Sequence, residues 1–443
     1  MTELATTERF DQANFEQLLQ SLSEPDWLTQ RRQEAFEHFQ TLDMPTTREE
    51  EWKRTDIRLF KLDRFSPPRH SGGTSPKNLF DKLPTTLLDQ GLELAGKIIT
   101  TNGQNHESHL TEKWQKKGIL FGTLEQLLPE HGDLLKPYLL KKAFETDYDK
   151  FAALHGAFFQ GGLVLYVPRG VVVDDPLFTL AAISDGQTDL SHTLVILEEG
   201  AEASLVSELT SPKATDGGLH CGGVELYVAD NAHFRYVNLQ NWGKKVWHFA
   251  QQRATVGQNS SLQWTAGALG SKLSKVNQHV LLEGTDSHCQ VNGVMFAEES
   301  QHLDYHTLQH HKAPNCRSDF LYKVALQDTA RTVWRGMIKV DKEAQRTDGY
   351  QRNDNLLLTQ QARSDSIPGL EIEADDVRCT HGATTSKVEE ELIFYARTRG
   401  FTRKEAVRMI VNGFFQQVFD RITLEPVREA LGQAIASRVR DYS

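Results

Sequence analysis

Cys379 and His381 stand two residues apart in the run Asp375-Asp-Val-Arg-Cys379-Thr-His381-Gly-Ala-Thr384. A thiolate beside an imidazole is a donor pair suited to iron or zinc. In an extended chain alternate side chains leave the same face, which puts the two Cα atoms roughly 6.5–7 Å apart and lets both groups converge on one metal atom. Two donors do not complete a tetrahedral site, so the remainder must come from elsewhere in the chain, from a second polypeptide or from solvent. The plainer account of the same spacing is a small buried cysteine beside a histidine satisfied by hydrogen bonds.

Other donor groups are weaker. His302, His306, His310 and His311, followed by Cys316, would gather on one face of a helix. Leu303, Tyr305 and Leu308 make no helical stripe, however, and Pro314 follows soon after. On a strand, residues four apart stand about 13 Å from one another, so these histidines are expected to be surface or rung residues. His288 and Cys289 are adjacent and point to opposite faces if extended. Glu371, Glu373, Asp375 and Asp376 could serve acid–base chemistry or hard metals. Beside Pro368 and Gly369 they read instead as residues that end a repeating fold and turn the chain. No Walker loop, serine-hydrolase elbow or dinucleotide-binding Gly-x-Gly-x-x-Gly is present, so nucleotide hydrolysis, esterase chemistry and a flavin or nicotinamide loop find no support.

The composition narrows the class. The chain has 443 residues and a net charge of −11, which argues against binding a phosphate backbone and otherwise means solubility. Its four cysteines, Cys221, Cys289, Cys316 and Cys379, form no C-x-x-C pair, so neither a zinc ribbon nor a self-contained ferredoxin-type cluster is expected. The acidic, polar start resembles neither a signal nor a transit peptide. No apolar run is long enough to span a membrane. These features predict a soluble, reduced, cytoplasmic protein.

The elements that must position the donors are legible as texture. Phe15, Leu18, Leu19 and Leu22, then Ala35, Phe36, Phe39 and Leu42, fall at helical spacing. Thr47-Arg-Glu-Glu50 has the form of a capping box, and His70-Ser-Gly-Gly-Thr-Ser-Pro-Lys that of a linker. Residues 78–157 read as mixed, with helix over 123–156. From Gly161 to about Asp376 short β-rich runs alternate with turn pairs: Gly200-Ala201, Asn231-Ala232, Asn259-Ser260, Thr329-Ala330, Glu343-Ala344 and Gln361-Ala362. Their intervals cluster near 14 or 28 residues, which predicts a sandwich or a coiled solenoid. After that come three amphipathic helices. Ser386-Lys-Val-Glu389 and Thr402-Arg-Lys-Glu405 have the form of caps, and Pro426 suits a first helical turn. The domains expected are a helical and mixed one over 1–157, a β core over 158–385 and a helical one over 386–443.

Several of these runs together resemble the SufD family of the SUF iron–sulfur cluster assembly machinery. They are Ala313-Pro-Asn-Cys-Arg-Ser-Asp319, Thr347-Asp348-Gly-Tyr350-Gln351, Pro368-Gly-Leu-Glu371-Ile, Asp375-Asp376-Val-Arg-Cys379-Thr-His381-Gly-Ala-Thr384, and Phe394-Tyr395 with Arg399-Gly400. Pro45-Thr-Thr-Arg-Glu-Glu-Glu-Trp52 is similar to the family's Pro/Glu/Trp motif, so the likeness runs from about residue 45 to the C-terminus. The resemblance implies a right-handed parallel β-helix and a non-enzymatic scaffold role. It implies pairing with SufB, or with a second copy, and docking of the ATPase SufC on the C-terminal helices, with the polar-basic side near Thr402–Arg408 toward that partner. It also implies that His381, with Cys379 beside it, serves a transient iron–sulfur cluster at the seam between subunits. Reduced flavin is associated with such complexes, without a motif for it here. The sister SufB family carries His-Glu-Ala where this chain has His381-Gly-Ala, and more cysteines. A polysaccharide-processing β-helix enzyme is the rival from another class, since fold alone does not fix function.

Overall fold

The computed structural model describes residues 10–68, 86–88, 93–212 and 217–440; the expected linker at His70 lies outside them. Its centre is a parallel β-solenoid of about eight turns. Two sheets, not three, form its walls, and the chain passes from one to the other at each half-turn. Residues in register on successive coils are 26 to 32 apart, as in the column Tyr236, Trp264, Val291, Phe320, Gln351 and His381. The spacing of 14 and 28 read from the turn pairs is thus the half-coil and the coil.

Most of these corners share a cause, seen at three of the turn pairs and just before a fourth, Thr329-Ala330. At a corner one residue takes the left-handed conformation, as Gly200, Asn231, Asn259 and Asp328 do, a region in which glycine, asparagine and aspartate cost least. A small residue follows and tucks inside: Ala201, Ala232, Ser260 and Ala330 are all buried. A larger side chain there would collide with the coil beneath.

Alternate residues of each strand face the lumen or the outside. The lumen is apolar over most of its length, filled by Leu226, Phe234, Trp264, Val291 and Phe320 among others. One outer wall carries the N-terminal helices. There the helix Lys150–Phe158 lays Phe151 flat on Phe249, ring centroids 3.6 Å apart. The other wall carries the C-terminal helices Glu390–Thr398, Arg403–Phe419 and Glu425–Arg438, whose apolar stripes (Val407, Val411, Phe415 and Val418; Val427, Leu431 and Ile435) are buried against it. The first end of the solenoid is covered by antiparallel strands, Gln104–Leu110 and Leu120–Thr123. At the other end Arg363–Ile372 and Val377–Lys387 are the last strands of their sheets, and no described strand lies beyond them.

Several local expectations are corrected. The first capping box is shifted by one residue: Glu49, not Glu50, accepts from the Thr46 amide at 2.8 Å, and a 3-10 turn over Glu50–Trp52 follows. Ser386 caps nothing, because the last strand runs on through Lys387, and Glu389 begins the helix without a side-chain cap. The helix expected over 123–156 is two, Leu124–Leu135 and Lys150–Phe158, separated by turns. Thr402 and Glu405 do form the reciprocal box.

Candidate functional site

Cys379 and His381 lie on the final strand, in register with Gly349 and Gln351 of the coil beneath. Both face the lumen. The Cys379 side chain packs with Ile338, Val340, Ala344 and Ala374, a small apolar cluster that closes the last coil. His381, two positions on, leaves from the same face. Since no coil covers it, it is exposed, whereas Cys379 is half-buried. Burial pushes the Cys379 thiol up, and Asp348 adds to this, against an opposing backbone hydrogen bond at Gly349. A cation or a positive partner closing the end would lower it again.

The lumen grows polar toward this end. Gln351 lies under His381 and donates across the lumen to the carbonyls of Gly369 (3.0 Å) and Gly336 (3.3 Å). Asn355 donates to Asn353 Oδ1 and Ser366, and Ser366 in turn to Asn353. His311 meets Ser318 at 2.8 Å. These bonds give partners to polar groups that would otherwise be costly inside, and those of Gln351, Asn355 and Ser366 tie the last two coils together beneath the two donors. Around the rim Leu370 and Ile372 are exposed apolar residues, each at 38%. Outside, Arg378 grips Asp348, an exposed pair of small energetic weight.

Among the described residues no group of three or more His, Cys, Asp or Glu side chains is placed to hold a metal ion. The thiol and imidazole are therefore an incomplete donor set within one chain.

The other sequence candidates fall elsewhere. His302, His306, His310 and His311 lie on one strand, as expected, and do not meet at one ion. His302 bonds Thr55 (2.9 Å), His310 bonds Asp341 (2.8 Å), and His311 is inside the lumen. His288 is exposed and Cys289 buried on the opposite face. Cys221, Cys289 and Cys316 are free and buried. Glu371 pairs with Lys339 on the outside, and Asp376 receives a backbone bond from Arg346 at the final turn.

Sequence reading missed what the Glu-Trp motif does. Glu51 bonds His306 (2.6 Å) and pairs with Arg335, and Thr55 donates to Asp304. Lys275 donates to Asp304 (2.9 Å) and to the Glu51 carbonyl (2.8 Å). Burial alone would raise the Asp304 pKa, but Lys275 and His306 outweigh it and hold the carboxyl well below the usual range. Trp52 is inserted beside Phe151 and Phe249. The motif is thus a clamp that fastens the N-terminal segment to the solenoid wall. Its partners are up to 284 residues distant, beyond any local signal.

A further internal chain, His155–His192 (2.9 Å) and His192–Glu225 (3.1 Å), lies in the same wall. Burial, together with neighbouring His192, holds His155 well below its ordinary range, so it serves packing as a neutral ring.

Comparison with known proteins gives concordant matches. The model of the SufBD core domain of the SUF FeS cluster assembly system matches residues 178–414, and that of the SufBD protein N-terminal region matches residues 9–178. Iron-sulfur cluster assembly SufBD family proteins of Staphylococcus haemolyticus and Staphylococcus aureus are each 30% identical over 413 residues, covering 91% of this chain and 87% of the relative. One of Staphylococcus saprophyticus is 30% identical over 412 residues.

Proposed function

The chain belongs to the SufBD family of iron–sulfur cluster assembly proteins, and from that premise we propose that it is a SufD-type scaffold lending Cys379 and His381 to a nascent cluster. The single observation that carries this reading is the position of the pair: side by side on the lumen face of the last coil, at an end that no described element closes. A protein that assembles a cluster and then releases it needs few, exchangeable ligands rather than a closed four-cysteine cage. Iron and sulfide are here substrates. Half the coordination comes from this chain and the remainder from the polypeptide that closes the end.

Closure has a physical basis. Among the described residues no strand pairs with the outer edges of the last strands of both sheets, which are rimmed by Leu370 and Ile372. Such edges are templates for a further strand. A second solenoid of the same family, SufB in this reading, would continue both sheets and bring its own donors opposite Cys379 and His381. A second copy of this chain would satisfy the same edges. His381-Gly-Ala, and only four cysteines, favour the SufD assignment over SufB.

The first two C-terminal helices and their connection leave Leu392, Phe394, Tyr395, Phe401 and Met409 exposed, Phe394 at 69%. Exposed apolar residues concentrated on one short segment mark an interaction site, and we assign it to the ATPase SufC. This moves the docking face from the polar side of Thr402–Arg408 toward the aromatic residues before it. Nucleotide-driven movement of that partner would then strain the seam at the solenoid end, which is allostery between two distinct sites. In this reading the role is structural and ligand-donating, not catalytic. Co-expression with untagged SufB and SufC, followed by mass measurement of the purified complex, tests the reading. A complex containing all three chains is expected; a chain that captures neither partner overturns it.

A further inference from the structure

The solenoid wall beneath the C-terminal helices is apolar at Val294, Phe296, Leu321, Ala325 and Leu356. A polar column runs through it toward the last coil. Lys323, Asp354 and Thr384 occupy the same register position on three successive coils, the last of them the strand that bears Cys379 and His381. Lys323 and Asp354 are 7% and 2% exposed. Asp354 receives three charged or hydroxyl donors: Lys323 Nζ at 2.6 Å, Thr384 Oγ1 at 2.6 Å and Arg352 Nε at 2.9 Å. Lys323 Nζ also sits 4.8 Å from the ring centroid of Phe414 on the helix Arg403–Phe419, within cation–π reach. Phe414 meets the buried Phe415 edge-to-face, centroids 5.2 Å apart.

Buried ionic groups are poor sources of stability, since apolar residues of like size serve as well. What they supply is directional contact that is sensitive to small displacements. Here the contacts run without interruption from the core of the helical bundle to Thr384, three residues beyond His381. We propose that Phe414, Lys323, Asp354 and Thr384 couple the C-terminal helices to the final strand, so that movement of the helix Arg403–Phe419 shifts the strand carrying Cys379 and His381. The purpose of the coupling rests on the reading of those two residues as cluster ligands; the coupling itself does not.

Energetic coupling along this chain of contacts is read by a double-mutant cycle, followed by hydrogen–deuterium exchange on the full chain, without partners. Phe414→Leu removes the ring and Thr384→Val removes the hydroxyl. Each should raise exchange of the amides in Val377–Lys387 by about five-fold or more, with Val246–Val256 unchanged. The double variant should exchange no faster than the faster single one, because both cut the same chain. Wild-type exchange of the final strand in Phe414→Leu overturns the proposal, as do effects that multiply in the double variant. Thr384 is exposed, so Thr384→Val tests the coupling even if the helix variant misfolds. By reciprocity it should raise exchange around Phe414, and unchanged exchange there also overturns the proposal. His381→Ala should leave this exchange pattern intact whatever it does to cluster formation, so the two readings fail separately.

Discussion

Gly349 lies directly beneath Cys379 in the lumen, and a Cβ added to it would stand 3.2 Å from the Cys379 sulfur and 3.2 Å from Ile338 Cγ2. Both contacts are tighter than side chains normally make. Ile338 is fully buried and has nowhere to go, while Cys379 borders the open end. Gly349→Ala should therefore displace the thiol outward, at an overpacking cost of about 1 kcal/mol. A thermal melt measures the cost, and a faster alkylation of Cys379 reports the displacement. An unchanged alkylation rate would count against the geometry.

Cys379 is half-buried and the other three cysteines are buried. The native chain should thus take up one alkyl group from iodoacetamide, at Cys379, as peptide mass mapping would reveal. Because burial raises this thiol, the thiolate forms later than usual as pH rises. The labelling rate should still be climbing above the ordinary thiol value of about 8.5.

Asp304 holds the N-terminal clamp. Its folded pKa is depressed, so its ionised form contributes stability that is fully present above the unfolded value of about 3.9 and is lost as pH falls toward the folded value. Asp304→Asn leaves Lys275 buried without its carboxylate and should cost about 3–5 kcal/mol at pH 7. The gap between variant and wild type should narrow at pH 3 in chemical denaturation. A gap independent of pH would show that the charge is not what matters.

Phe394 and Tyr395 are 69% and 61% exposed, so replacing both with serine should change stability by no more than about 0.5 kcal/mol. Association with SufC, measured by calorimetry, should be lost or severely weakened. Full retention of binding would move the docking face elsewhere.

The periodic parts of this fold were legible in the sequence because their causes are local. A corner needs a left-handed residue and then a small one, and Asn231-Ala232 or Asn259-Ser260 advertise both. The stripe from Val407 to Val418 likewise announces its buried face. The Cys379/His381 geometry followed from strand alternation alone. What was not legible depended on distant partners. Glu50 looked like a helix-capping carboxylate, and nothing near Glu51 announced that His306 and Arg335 come to meet it. Ser386 looked like a cap because a strand pairing with Thr347–Leu357 through Lys387 leaves no mark on the residues after it. The number of sheets was likewise invisible, since lumen-facing residues of either arrangement alternate in the same way.

Cluster reconstitution with His381→Ala in the purified three-chain complex decides whether His381 and Cys379 donate to a cluster from an otherwise intact scaffold. His381 is exposed and packs against no core, so the variant should fold, melt and assemble as the wild type does. Cluster yield, read by visible absorbance and bound iron and sulfide, should fall by about ten-fold or more, the scale on which metal sites respond to lost groups. Wild-type cluster yield from that variant would rule out His381 as a cluster ligand.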